Sequence, residues 1–161
     1  MIGPLAQLDQ AALLALNNAH ASELSWLDAP GLASLLARAR FAYGIAPMQA
    51  ALVAFDQDSA YDGHHFGWFA SRLPRFVYVD RVVVAPQARR FGLARALYET
   101  LFTQAGAATP VVCEVNSDPP NPGSDAFHAR LGFRPIGHGR TRDGLKLVRY
   151  LIRESPGGEL P

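Results

Sequence analysis

The sequence predicts a mixed α/β layer fold. Three observations predict it. Residues 76–84 form a run dense in β-branched and aromatic side chains, which is a strand signature. Residues 89–106 follow with Leu93, Leu97 and Leu101 on one side, and with Tyr98 and Phe102 widening that apolar face, which is a helix signature. Residues 111–115 then return to strand composition. The whole order reads α-α-β-β-lid-β-α-β-α-β-β, a layered arrangement rather than a run of regular βαβ units.

Each element has its own reason. Residues 9–20 read as a helix because Leu13, Leu14 and Leu16 recur among alanines. Residues 28–40 read as a second helix, with Leu32, Leu35 and Leu36 on its apolar side. Residues 17–26 between them are polar and rich in hydrogen-bonding groups, which predicts a loop. Residues 41–45 and 49–55 are β-like and join around Pro47, and residues 56–63 make a polar connection. Residues 64–73 predict a short helix or lid. Ser124 is the expected N-cap of a helix over 124–131, with Gly132 as its stop. Residues 133–138 and 145–152 make a final hairpin around Asp143-Gly144. Residues 1–154 are expected to form a single domain, with a short tail over 155–161.

Composition narrows the function. The chain has 161 residues, 49% of them hydrophobic, enough for a hydrophobic core. Its formal net charge of +1 provides no global field for nucleic acid or a membrane surface, so neither is an expected partner. Cys113 is the only cysteine, which excludes an intramolecular disulfide and a multi-cysteine metal site. The expectation is a cytoplasmic protein without a signal peptide or a spanning helix. His64 and His65 are adjacent, a spacing that rarely ligates one metal, and no metal site is expected.

The densest functional signal is Val82-Val83-Val84-Ala85-Pro86-Gln87-Ala88-Arg89-Arg90-Phe91-Gly92-Leu93-Ala94. It reads as a buried strand, a short basic turn and a helix start. Helix starts carry unpaired N–H groups and the positive end of the helix dipole, and they bind anions. Gly92 permits close backbone approach and Ala94 stays small, while Arg89, Arg90 and Arg95 add charge. Neither GxGxxG nor GxxxxGK[ST] is present, which disfavours dinucleotide and ATP sites of those kinds.

Arg89-x-x-Gly92-x-Ala94 resembles the acetyl-CoA signature of the GNAT acetyltransferases. A second segment, Asn121 to Phe133 with Ala126, Gly132 and Phe133 in place, is similar to the family's later N-x-x-x-x-A-x-Y-x-x-x-G-F pattern. The resemblance implies a mostly antiparallel mixed sheet, flanked by helices on both faces. That sheet would splay between its fourth and fifth strands, here the strands at 77–84 and 111–115. It also implies that the pantetheine arm pairs with the backbone of Val82, Val83 and Val84. The pyrophosphate would rest on Arg89, Arg90, Phe91, Gly92, Leu93 and Ala94, with Arg95 adding charge and Asn121 and Phe127 beside the cofactor. The implied activity is transfer of an acetyl group from acetyl-CoA to the amine of a small molecule or amino-acid-like acceptor. Attack would be direct, within a ternary complex. A catalytically weak module that senses acyl-CoA or a small amine is the alternative, and the family also admits a homodimer.

The chemistry needs a base for the acceptor ammonium and allows an acid for the leaving thiolate. His128 stands where the family pattern has tyrosine; as a histidine it could protonate the thiolate, only hydrogen-bond it, or lie on the helix surface. Strand alternation puts Asp80, Val82 and Val84 on one face, and Val112, Glu114 and Asn116 on one face of the next strand, with Cys113 opposite. Asp80 and Glu114 are carboxylates in otherwise apolar strands, and either is a candidate base, directly or through water. Asn116 reads as a positioning group. Glu23, Asn18 and Trp26 on the first inter-helix loop are the candidate acceptor contacts, Glu23 for an ammonium and Trp26 as a cation–π face.

Overall fold

Seven strands form one sheet in the order β1-β2-β3-β4-β5-β7-β6 in the computed structural model, which describes residues 1–154. The tail expected over 155–161 lies outside the described residues. The strands are β1 (Ile2–Pro4), β2 (Phe41–Ile45), β3 (Ala50–Asp56), β4 (Val77–Val84), β5 (Val111–Asp118), β6 (Arg134–Arg140) and β7 (Leu147–Arg153). The helices are α1 (Gln10–Ala19), α2 (Ala21–Leu24), α3 (Ala29–Arg38), α4 (His64–Ala70), α5 (Leu93–Ala105) and α6 (Pro122–Arg130). Only β4 and β5 run parallel; the other neighbours are antiparallel.

Local chemistry starts the helices. Asp9 accepts from the Ala12 amide at 3.0 Å to cap α1, and Asp28 accepts from the Gly31 amide at 2.7 Å to cap α3. Leu13 of α1, Leu32 and Leu35 of α3, and Phe66 and Phe69 of α4 bury against one sheet face, with Tyr78, Val112 and Tyr150. Leu97, Tyr98 and Leu101 of α5 bury against the other, with Val77, Val79, Cys113 and Val115. Each such apolar side chain contributes roughly 1.5–3 kcal/mol when fully buried. Segment 64–73 is thus a helix docked into the core through Phe66 and Phe69.

The sheet opens where the resemblance implied. Strands β4 and β5 pair only at Val77–Val111 and Tyr78–Val112. Strand β3 stays on β4 as far as Val84, so the β5-facing edge of β4 has no strand partner from Val79 onward. A wedge opens between the two strands, and its mouth faces the turn after Val84.

Several sequence expectations change. The edge strand β1 was not anticipated, because three residues that include Gly3 and Pro4 carry no readable period. The loop expected over 17–26 is mostly helical: α1 continues to Ala19 and α2 follows it. Helix α5 begins at Leu93 rather than Arg89, because Arg90 (φ 70°) and Gly92 (φ 73°) are left-handed and break the helical run. Asn121, not Ser124, caps α6: its side chain accepts from the Ser124 amide at 3.2 Å.

The alternation expected on β4 fails at a β-bulge. Val53 pairs with Arg81 and Ala54 with Val79, which leaves Asp80 as the extra residue. Val82 and Val84 therefore pack on the α5 side with Val77 and Val79, while Asp80 turns to the other face and meets Tyr61. On β5 the expected alternation holds: Val112 and Cys113 pack in opposite clusters, and Glu114 bonds to Tyr78 on the Val112 side.

Candidate active site

The basic turn builds a cavity of about 340 Å³ at the start of α5. Arg89, Arg90, Arg95 and Arg130 border it, with Val84, Gly92, Leu93, Ala94 and Phe127. The first main-chain bond of α5 runs from the Ala96 amide to the Gly92 carbonyl. The amides of Leu93, Ala94 and Arg95 are therefore helix-start donors, and Gly92 provides no side-chain cap for them. A Cβ built on Gly92 would stand in open space, so the backbone here is bare toward the cavity. Bare amides, a helix start and four guanidinium groups fit a pyrophosphate such as that of coenzyme A. Arg89 donates to His20 Nε2 at 2.9 Å and Arg95 pairs with Glu99 at 2.9 Å, which holds both side chains in place.

Three further cavities meet deeper in the wedge. One of about 150 Å³ lies between the parted strands and touches Val82, Tyr98, Asn121 and His128. A second of about 160 Å³ lies on the α1–α4 side, against Tyr61, His65, Tyr78 and Arg81. A third of about 590 Å³ runs outward between α2 and the β6–β7 turn. Glu23 and Glu114 line all three. Two carboxylates thus stand at the junction of the donor-side cleft and the outward groove.

Glu114 accepts from the Tyr78 hydroxyl at 2.7 Å. Burial pushes its pKa up to about 8, aided by the nearby Asp80 carboxylate and opposed by the Tyr78 bond. Glu23 makes no ion pair among the described residues. Asp80 differs from both, because its two oxygens are already engaged. One accepts from the Tyr61 hydroxyl at 2.5 Å and the other from Arg81 Nε at 2.7 Å. Arg81 in turn donates to Asn17 Oδ1 at 2.8 Å, tying β4 to α1. His65 bonds the Tyr150 hydroxyl through Nδ1 at 3.0 Å, and burial lowers its pKa to about 4, so it is neutral.

His128 is 5% exposed and faces inward. Its Nδ1 lies 2.8 Å from the Ser124 carbonyl, which can only accept, so Nδ1 carries the proton. Nε2 then accepts from the Tyr98 hydroxyl at 2.8 Å. Burial also lowers the His128 pKa, so the ring is neutral at neutral pH. Tyr98 is itself fully buried. Replacing Tyr98 with phenylalanine would leave Nε2 unpaired in the interior and is expected to cost about 1–3 kcal/mol. Chemical denaturation should show a lowered midpoint; an unchanged midpoint would remove this bond from the stability account.

The remaining expected site residues separate. Val83 packs its side chain into the α1–α4 cluster, Val82 borders the inter-strand cleft and Val84 the turn cavity. Phe91 is 76% exposed and lines none of these cavities. Asn116 borders both the cleft and the outward groove. Asn18 spends its amide on the Leu27 backbone, donating to the carbonyl at 2.8 Å and accepting from the amide at 2.9 Å. Trp26 is 65% exposed, outside the core and outside all four cavities. Asn18 is thus engaged with the loop backbone, and the Trp26 ring is open to solvent.

Sequence reasoning missed Tyr61, Tyr78 and Tyr98 as site residues, because tyrosines in apolar patterns read as packing. The usable signal was the hydroxyl: a buried tyrosine needs a partner, and polar residues are what partner it. Among the described residues no cluster is suited to hold a metal ion, and no helix is long and apolar enough to cross a membrane.

The fold has many solved relatives. The ribosomal-protein-S18-alanine N-acetyltransferase of Escherichia coli superposes with a TM-score of 0.69 at 19% identity, covering 100% of this chain and 97% of that one. Ard1 of Thermoplasma volcanium gives 0.68 at 14% identity, covering 97% of each. An aminoglycoside 6'-N-acetyltransferase complexed with coenzyme A gives 0.68 at 12% identity, covering 95% of this chain and 96% of that one. No curated protein matches the chain by sequence. At such identities these likenesses speak for the fold alone. The acetyltransferase (GNAT) domain family matches residues 37–154, a span that holds the splayed strands, the glycine turn and Glu114, while Glu23 lies before it. By that match over most of its length, together with the parted β4–β5 pair, the chain belongs to the GNAT acetyltransferases.

Proposed function

We propose that the protein is an acetyl-CoA-dependent N-acetyltransferase acting on a primary amine. The observation that carries this reading is the meeting of three cavities at Glu23 and Glu114, directly inside the wedge between β4 and β5. When bound, acetyl-CoA supplies the acetyl thioester. The chain's own residues do the rest. The amides of Leu93, Ala94 and Arg95, with the bordering arginines, hold the pyrophosphate. The free edge of β4 offers backbone partners to the pantetheine arm. Glu23 attracts the acceptor ammonium to the junction, joined by Glu114 in the fraction that is ionised. Glu114 takes its proton, since a pKa of about 8 lets it accept a proton yet remain partly ionised near neutral pH. Holding the neutral amine in line with the thioester then supplies much of the acceleration.

Asp80 serves as a positioning group, because Tyr61 and Arg81 occupy both its oxygens. Asp80→Asn should therefore cost stability, about 3 kcal/mol for breaking a buried ion pair. It should keep a single basic pH–rate limb but move it below 8, because the Asp80 charge helps to hold the Glu114 pKa up. Loss of that limb would transfer the role of base to Asp80.

A second reading draws on one observation: the site's histidine is neutral and has both ring nitrogens engaged, so it has no proton to offer the cleft. That favours a weak transferase or a sensor of acyl-CoA. Free coenzyme A release, measured with acetyl-CoA and a panel of primary amines, separates the two. Release dependent on an amine supports the transferase. Tight acetyl-CoA binding with no release from any amine supports the sensor.

A further inference from the structure

The outward groove is not electrically uniform. Its inner end carries Glu23 and Glu114, and its outer end carries Arg142 and Lys146 on the β6–β7 turn. The third acid on its wall, Asp143, is consumed by the turn: it accepts from the Thr141 hydroxyl at 2.6 Å and the Leu145 amide at 3.0 Å. Arg142 is exposed and has no ion pair among the described residues; its side chain makes one long hydrogen bond there, of 3.4 Å to the Asp62 carbonyl. Lys146 donates to the Ser22 carbonyl at 2.8 Å, which places its ammonium on the α2 wall of the groove. Two cations therefore face the groove with no close ion pair among the described residues, although the Asp143 carboxylate feels the Lys146 charge.

Register sets the scale. Glu114 pairs with Tyr150 on β7, and Lys146 lies four residues before Tyr150. At about 3.4 Å per residue this separates the two levels by ~14 Å of backbone. Measured from Glu114 the basic turn is thus on the order of 10 Å away, and Lys146, held on the Ser22 carbonyl, reaches back toward the α2 wall. A free amino acid is too short, because its ammonium and carboxylate share one carbon. An extended chain a few residues long fits.

We propose that the preferred acceptor is a primary amine bearing an anionic group several bonds away, with the amine at Glu23 and Glu114 and the anion at Arg142 and Lys146. This rests on the transferase reading above. The shared chemistry is an amine–anion pair at a set distance, and either an acidic peptide or a non-peptide amine could supply it.

The test measures kcat and KM with matched acceptors. The peptide arm uses C-terminally amidated Ala-Ala-Asp and Ala-Ala-Asn. The non-peptide arm uses 6-aminohexyl phosphate and hexylamine. The anionic member of at least one pair should be favoured by about tenfold in kcat/KM, chiefly through KM, as expected for binding that does not change during reaction. Arg142→Glu should bring that ratio to parity or invert it. Lys146→Gln, which keeps a donor for the Ser22 carbonyl, should reduce it several-fold. Equal efficiency within both pairs, a preference for the members that lack the anion, or a ratio unmoved by Arg142→Glu would overturn the proposal while leaving the transferase reading intact. Coenzyme A binding without acetylation of any member would overturn the transferase reading, and this proposal with it.

Discussion

Replacing Gly92 with valine is expected to abolish coenzyme A binding while the protein stays folded. Gly92 has φ 73° and stands between the 3-10 turn at 86–88 and the first residue of α5. A side chain there would meet nothing in the free protein, so there is no clash to unfold it. The conformational strain on a β-branched residue in the left-handed region is about 1–2 kcal/mol, which lowers the melting temperature without erasing the transition. The same branches would project over the amides of Leu93, Ala94 and Arg95, where the pyrophosphate is proposed to rest. A loss of at least about 100-fold in affinity follows from losing several charge-assisted bonds at once. Calorimetry with coenzyme A reads this directly. Millimolar coenzyme A should raise the melting temperature of the wild type and leave that of the variant unmoved. Equal affinity in both proteins would remove the anion turn from the account.

The second large effect is expected at Glu114. Glu114→Gln retains the shape and the Tyr78 bond but cannot take a proton. Turnover should fall by about 10²–10⁴, the range that general bases contribute. The wild-type rate should rise with pH through about 8 as Glu114 ionises, and that limb should vanish in the variant. Stability carries a matching sign. The Glu114 pKa is raised on folding, from the ordinary 4.5 to about 8. The folded state therefore holds a proton that the unfolded chain has already released between those values. The stabilising contribution is full below pH 4.5 and is lost as pH rises towards 8. Glu114→Gln should flatten stability across that window, read by denaturant titration at several pH values. A variant with wild-type turnover and an unaltered pH profile would rule Glu114 out as the base.

Much of the fold was legible because its signals are local. The β-branched run of β4, the four-residue leucine spacing of α5 and the Asp9 and Asp28 caps each report the structure of their own segment. The anion turn was legible for the same reason, since Gly92 and its arginines are sequence neighbours. The site interior was harder to read. Asp80 looked like a partner of Val82 and Val84, but one bulged residue sent it to the opposite face. His128 looked free to act as an acid until Tyr98, thirty positions away, was found on its Nε2. The sequence placed Asn18 and Trp26 on a loop as acceptor contacts, but only the structure shows that Asn18 bonds the Leu27 backbone and that Trp26 is exposed.

The sequence by itself determined the order of helices and strands, the glycine turn that opens α5 and the membership that those two motifs suggest. These depend on propensity, period and spacing, which act over a few residues. Tertiary structure alone decided which carboxylate is free and which is tied down. It also decided that the histidine is neutral, and that an acidic junction and a basic turn share one groove. Those properties arise from desolvation and from side chains that meet across the sheet, and both depend on segments far apart in the chain.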